Sequence, residues 1–142
     1  MTPEFQLKKI KTDFPKVKIT SSKDAEEFIR RFYSDDIGIY ESFFILLLNR
    51  ANNTIGFVKI SQGGVAATYV DVKIIAKYIA ETLCSSVILA HNHPSGNLTP
   101  SQADMDLTKK IKGMSDFFDC KILDHIILSE DGFYSFLDNG NI

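Results

Sequence analysis

Between Ala90 and Asp106 the chain reads AHNHPSGNLTPSQADMD, and this stretch holds two of its three histidines. The preceding Ser86-Val87-Ile88-Leu89-Ala90 is a short apolar run of the kind that forms a buried strand. Residues two apart on a strand project to one face, so His91 and His93 stand side by side if the strand runs that far. Pro94-Ser95-Gly96-Asn97 breaks the strand and makes a loop. Asp104 follows about one turn into a helix, where its carboxylate can face back towards the imidazoles. Two imidazoles and one carboxylate on rigid elements suit a divalent metal, zinc first. Three protein ligands leave a fourth position open to water, the arrangement of a catalytic rather than a structural zinc.

Each of these residues also has a plainer use. Asp104 can favour a helix N-terminus through the dipole, and the histidines can be satisfied polar residues at a strand end. The helix start itself reads in detail. Thr99 suits the N-cap, Pro100 the first helical position, and Gln102 completes a Thr-x-x-Gln capping box. That box leaves Ser101 and Asp104 for other work. The alternative is Ser101-x-x-Asp104 as the capping box, in a shifted register.

The elements that must position these groups follow from periodicity. Residues 1–20 read as an extended lead-in with a short edge strand at Val17-Lys18-Ile19. Ser21 to Tyr33 reads as a helix capped by Ser21 or Ser22, with Ala25, Phe28, Ile29 and Phe32 on one face. Tyr40 to Leu48 is the most apolar run and reads as a central strand buried on both faces. Glu41 near its start needs a reason or a solvent-facing position. A turn at Asn49 to Asn53 and a strand at Thr54 to Ser61 make this a hairpin. Gln62-Gly63-Gly64 is a break, and Val65 to Val70 a candidate strand. Asp71 caps a helix to about Cys84, with Ile74, Ile75, Tyr78, Ile79 and Leu83 as its buried stripe. The helix after the histidines runs from Pro100 to about Ser115. Cys120 to Ser129 is a strand, Glu130-Asp131-Gly132 a hairpin turn, and Phe133 to Phe136 pairs back. The order is helix, hairpin, helix, strand, helix, hairpin: an α/β chain with a single mixed sheet flanked by helices.

Composition narrows the class. At 142 residues, 44% hydrophobic and 24% charged, the chain is one domain with one core. It has no run of eighteen apolar residues, so no transmembrane helix is expected, and no membrane partner. Met1 to Pro15 lacks the apolar segment of a signal peptide, which makes the cytoplasm the expected location. Cys84 and Cys120 make no disulfide framework and read as small buried hydrophobes. A net charge of −2 gives no global electrostatic case for nucleic acid. Only the local lysine clusters, at Lys8, Lys9, Lys11, Lys16, Lys18 and Lys23 and at Lys109, Lys110 and Lys112, point that way, and a solvated face accounts for both.

His91-Asn92-His93-Pro94-Ser95-Gly96, followed by Ser101 and Asp104, resembles the RadC branch of the JAB/MPN superfamily. The superfamily's JAMM pattern is a glutamate, then His-x-His, seven residues, Ser, two residues, Asp; Glu41, His91, His93, Ser101 and Asp104 match it. Asp124-His125-Ile126-Ile127 and the hairpin after it also resemble that branch, and the resemblance covers roughly Tyr40 to Gly140. It implies a cytidine-deaminase-like α/β fold and a zinc-dependent hydrolase of amide bonds in a peptide or protein substrate. One zinc per chain would sit on His91, His93 and Asp104. Glu41 would serve as general base and then general acid, and Ser101 as a donor to the developing oxyanion or the zinc water. Longer RadC proteins carry an N-terminal helix-hairpin-helix region. This chain reads instead as a short form, with a single domain over residues 21–142, and the family's association with DNA repair is correspondingly weak here. Asp124 and His125 are adjacent on a strand and face opposite ways; each is a candidate support for the site or a satisfied sheet residue.

Two look-alikes fall away. An HNH nuclease spreads its residues over a longer ββα unit, and a zinc deaminase needs His-x-Glu with a later Pro-Cys-x-x-Cys. The rival to a hydrolase is a binding module, associated with DNA or a replication partner, whose metal is structural or unused. Metal-assisted hydrolysis of a phosphodiester ranks last, because no second metal site is visible in the sequence.

Overall fold

The computed structural model describes residues 1–64 and 68–142. Helix α1 spans Ser22–Arg30 and starts where Ser21 Oγ accepts the Asp24 N–H; Ala25, Phe28 and Ile29 form its buried stripe. A short 3₁₀ turn at Asp35–Gly38 leads into strand β1, Ser42–Leu48, whose seven residues are all buried. β1 pairs antiparallel with β2, Thr54–Gln62, as a hairpin. Helix α2, Val72–Thr82, is capped by Asp71, which accepts the Lys73 N–H at 2.9 Å. Then come β3 (Ser86–Asn92), α3 (Gln102–Phe117), β4 (Lys121–Leu128) and β5 (Phe133–Ser135).

The five strands form one sheet in the order β2-β1-β3-β4-β5, with β3 and β4 the parallel pair. The expected single mixed sheet flanked by helices is thus the observed architecture. Alternation along the strands sorts the core into two layers. Phe43, Ile45, Leu47, Val87 and Leu89 face α2 and α3, while Leu46, Leu48, Ile88, Ala90, Ile126 and Leu128 face α1. Among the described residues no helix is long and apolar enough to cross a membrane.

Several expectations need correction. The α3 N-cap is Ser101, not Thr99: Ser101 Oγ accepts the Asp104 N–H and the Asp104 carboxylate accepts the Ser101 N–H, so the capping box is the shifted one. The helix begins two residues later than expected because this box satisfies two backbone donors reciprocally with a charged acceptor. In α2 the buried residues are Ile75 and Ile79. Ile74 is exposed, and Leu83 is the left-handed C-terminal residue at φ 55°, which turns its side chain out to solvent. The expected edge strand at Val17-Lys18-Ile19 is a single bridge between Lys18 and Asn53. Of the expected strand at Val65 to Val70, Val65 to Ala67 lie outside the described residues, and Thr68 to Val70 are not strand.

Candidate metal centre

Strand β3 carries His91, and its direction continues one residue further, because the His93 N–H donates to Leu128 O at 2.9 Å. His91 and His93 therefore share a face, as the i, i+2 spacing requires. Their Nε2 atoms stand 3.0 Å apart. The α3 capping box aims Asp104 at both: Oδ1 lies 3.2 Å from His91 Nε2 and Oδ2 3.2 Å from His93 Nε2. One residue thus closes the helix start and completes the triangle.

Glu41 arrives from fifty residues upstream. β1 runs antiparallel to β3 with Phe43 opposite His91, so the start of β1 lies beside the end of β3. Glu41 is buried, and its Oε1 is 3.9 Å from His93 Nε2. Its Oε2 accepts the Thr68 N–H at 2.8 Å, which leaves Oε1 facing the histidines. Sequence reasoning left open an exposed position for Glu41; the reason for its burial is this site.

Asn92, between the two histidines, points to the opposite side and is fully buried. Its Nδ2 donates to Ile37 O and Tyr40 O at 2.7 and 2.9 Å, and its Oδ1 accepts the Ser42 N–H at 2.8 Å. It clamps the chain on both sides of Glu41. Neither this role nor that of Thr68 is marked by any spacing in the sequence.

The donor set fits a cation. His93 donates Nδ1–H to Asn97 O at 2.6 Å, which leaves its Nε2 as a bare lone pair when the ring is neutral. The converging atoms of His91, His93 and Asp104 are separated by 3.0–3.2 Å. A tetrahedral ion with bonds of about 2.0–2.1 Å sets its ligand atoms about 3.3–3.4 Å apart. Ligand atoms of Glu41, His91 and His93 also lie within 4.8 Å of one another, so this group too is within reach of an ion. Glu41 is the outer carboxylate of the two, at 3.9 Å from His93 against 3.2 Å for Asp104.

Electrostatics separate the two carboxylates. Burial works against ionising Asp104, but His91 and His93, which donate to it whenever they carry an Nε2 hydrogen, and the Ser101 N–H outweigh it and hold the carboxyl far below the usual range. Burial raises Glu41 above its ordinary value, opposed by the two histidines and the Thr68 N–H. The arrangement thus holds one carboxylate charged and the other less acidic, side by side at the same two histidines.

Behind the triangle lies the third histidine. His125 and Asp124 do face opposite ways. Asp124 accepts from Ser135 Oγ and from the N–H groups of His125 and Leu137, tying down the C-terminal turn. His125 is wholly buried on the side of the triangle, 2.7 Å from His91. Cys84 and Cys120 are buried as expected, with their sulfurs 3.8 Å apart.

A mixed α/β sheet that gathers two histidines and two carboxylates at one strand end defines a JAB/MPN-type domain with a candidate metal centre. The chain belongs to the RadC family: the family model described as RadC-like JAB domain matches residues 19–141. It is 46% identical over 123 residues to a UPF0758 protein of Flavobacterium johnsoniae, covering 87% of this chain and 53% of that one. A UPF0758 protein of Porphyromonas gingivalis is 37% identical over 86% of this chain and 53% of its own length. One from Vibrio cholerae is 37% identical over 86% of this chain and 76% of its own. The chain thus spans about half the length of the first two relatives.

Proposed function

We propose that the chain is a JAMM-type zinc hydrolase that cleaves an amide bond in a peptide or protein. The observation that carries this is the triangle of His91, His93 and Asp104 with Glu41 Oε1 3.9 Å from its His93 corner. His91 Nε2, His93 Nε2 and an Asp104 oxygen would hold the zinc, leaving a position open. Zinc bound there supplies Lewis acidity that lowers the pKa of water to about 7 and polarises a carbonyl. Glu41 Oε1 takes a proton from the attacking water and delivers it to the leaving amine nitrogen, with Oε2 anchored on the Thr68 N–H throughout. Its raised pKa suits both halves of that task. Ser101 Oγ accepts the cap bond from the Asp104 N–H, so its own hydrogen is left to donate to the oxyanion that develops at the carbonyl.

Elemental analysis of purified wild type, Glu41→Gln and His93→Ala tests the reading. Expected are near one zinc per chain in the first two and loss in the third, with Glu41→Gln inactive on any peptide the wild type cleaves. No metal in any of the three after incubation with zinc would overturn it and leave the binding module in its place. Glu41→Gln turning over as fast as wild type would overturn the proton-carrier role.

A further inference from the structure

His125 lies beneath the metal centre with no exposed surface. Its ring is stacked on Phe136 at a centroid distance of 4.6 Å and meets Phe43 edge-on at 5.6 Å. Both ring nitrogens are engaged. Nε2 is 2.7 Å from His91 Nδ1, and Nδ1 is 2.6 Å from Thr108 Oγ1. Thr108 Oγ1 in turn donates to the Asp104 carbonyl at 2.7 Å. The chain of contacts starts on one candidate ligand and ends on the backbone of another.

Each link holds at most one hydrogen, so with neutral rings this chain can run in two directions. In one, His91 Nδ1–H donates to His125 Nε2, His125 Nδ1–H donates to Thr108, and Thr108 donates to the Asp104 carbonyl. His91 then presents a bare Nε2. In the other, Thr108 donates to His125 Nδ1, His125 Nε2–H donates to His91 Nδ1, and the remaining hydrogen sits on His91 Nε2. A metal binds only an unprotonated nitrogen, so the first direction is competent for metal and the second is not. The Asp104 carbonyl can only accept. It draws the Thr108 hydrogen to itself and favours the competent direction; the Asp104 carboxylate, 3.2 Å from His91 Nε2, favours the other until a cation occupies it.

We infer that His125 and Thr108 are the positioning residues of His91: they hold the tautomer in which His91 offers Nε2 and couple that ligand on β3 to the helix that carries Asp104. The inference rests on the metal-centre reading above. His93 has the common arrangement, with Nδ1–H on a backbone carbonyl. His91 has instead a neutral side chain whose own direction must be set, and Thr108 sets it. Replacing Thr108 by valine would leave the His125 Nδ1–H buried without an acceptor in the competent direction. The opposite direction would leave only a lone pair facing the new methyl group. Thr108→Val therefore penalises the metal-bound state and spares the metal-free one.

The test measures zinc affinity by competition with a chromophoric chelator at about pH 8, above the ordinary histidine pKa of about 6.5. Wild type, Thr108→Ser, Thr108→Val and His125→Phe are compared, with ¹⁵N NMR of the histidine rings in the zinc-loaded protein. Thr108→Ser should bind within about threefold of wild type, and Thr108→Val and His125→Phe about 10–100-fold more weakly. The loaded wild type should show His125 protonated on Nδ1 and bare on Nε2. Equal affinity of Thr108→Val and wild type, or a proton on His125 Nε2 in the loaded protein, would overturn this inference alone. A wild type that takes up no zinc would overturn the metal-centre reading and this inference together. Should His125→Phe fail to fold, the valine and serine pair at Thr108 decides.

Discussion

Replacing Asn92 by alanine should unfasten the Glu41 segment at a measurable price in stability. Asn92 makes three hydrogen bonds of 2.7–2.9 Å to backbone groups at Ile37, Tyr40 and Ser42, and has no exposed surface. The substitution leaves one buried N–H and two partly buried carbonyls without partners. An unsatisfied buried group costs about 1–3 kcal/mol. The carbonyls recover part of that from water, so the sum is about 3–5 kcal/mol. Domains have only about 5–15 kcal/mol of stability in total, so the loss should show as a large drop in the urea midpoint with the slope unchanged. Asn92→Asp is the sharper variant. It keeps the size and the acceptor for the Ser42 N–H but turns a carboxylate towards two carbonyls. It should be at least as destabilised at neutral pH, and should recover as pH falls and the buried acid takes up a proton. Since the metal triangle does not include Asn92, zinc uptake should persist wherever the variants remain folded. A loss below about 1 kcal/mol for Asn92→Ala would refute the clamp, because it would mean that Tyr33, whose hydroxyl donates to Ser42 O at 2.9 Å, and the β1 pairing hold the segment alone.

Two further outcomes follow from the same geometry. Ser101→Ala removes the α3 cap and should destabilise the metal-free protein by about 1 kcal/mol in urea unfolding, with Ser101→Asn largely neutral; an unchanged midpoint for alanine would argue against the cap. Zinc affinity should fall with pH, because the proton competes with the metal for His93 Nε2. The hydrogen bond to Asp104 raises the His93 pKa above 6.5, so the fall should begin above that value and steepen below it. Flat affinity from about pH 8 to pH 6 would contradict the assignment of His93 as a ligand.

The parts of this protein that could be read from sequence are those governed by local spacing. The i, i+2 alternation put His91 and His93 on one face, and the apolar stripe of Ala25, Phe28 and Ile29 marked α1. The fully apolar run before Leu48 marked a strand buried on both sides. The first two depend on a repeat of two or 3.6 residues and the third on an unbroken apolar run, which the chain displays whatever its partners are. Even locally, competition between near-equal caps went unresolved: Thr99 and Ser101 are both good N-caps, and the choice fell to Ser101 because Asp104 could answer it from the third helical position. Glu41 stood out as a carboxylate in an apolar run, but only the resemblance gave it a role. What brings it to the histidines is the antiparallel pairing of β1 with β3, a contact between residues fifty apart that no local period encodes. Thr68, Asn92 and Thr108 show the same limit, as ordinary polar residues whose partners are supplied by distant segments. Local propensity wrote the strands and helices into the sequence. Which polar groups are buried together, and hence which must hydrogen-bond or hold a cation, was decided only when the sheet order placed those strands side by side.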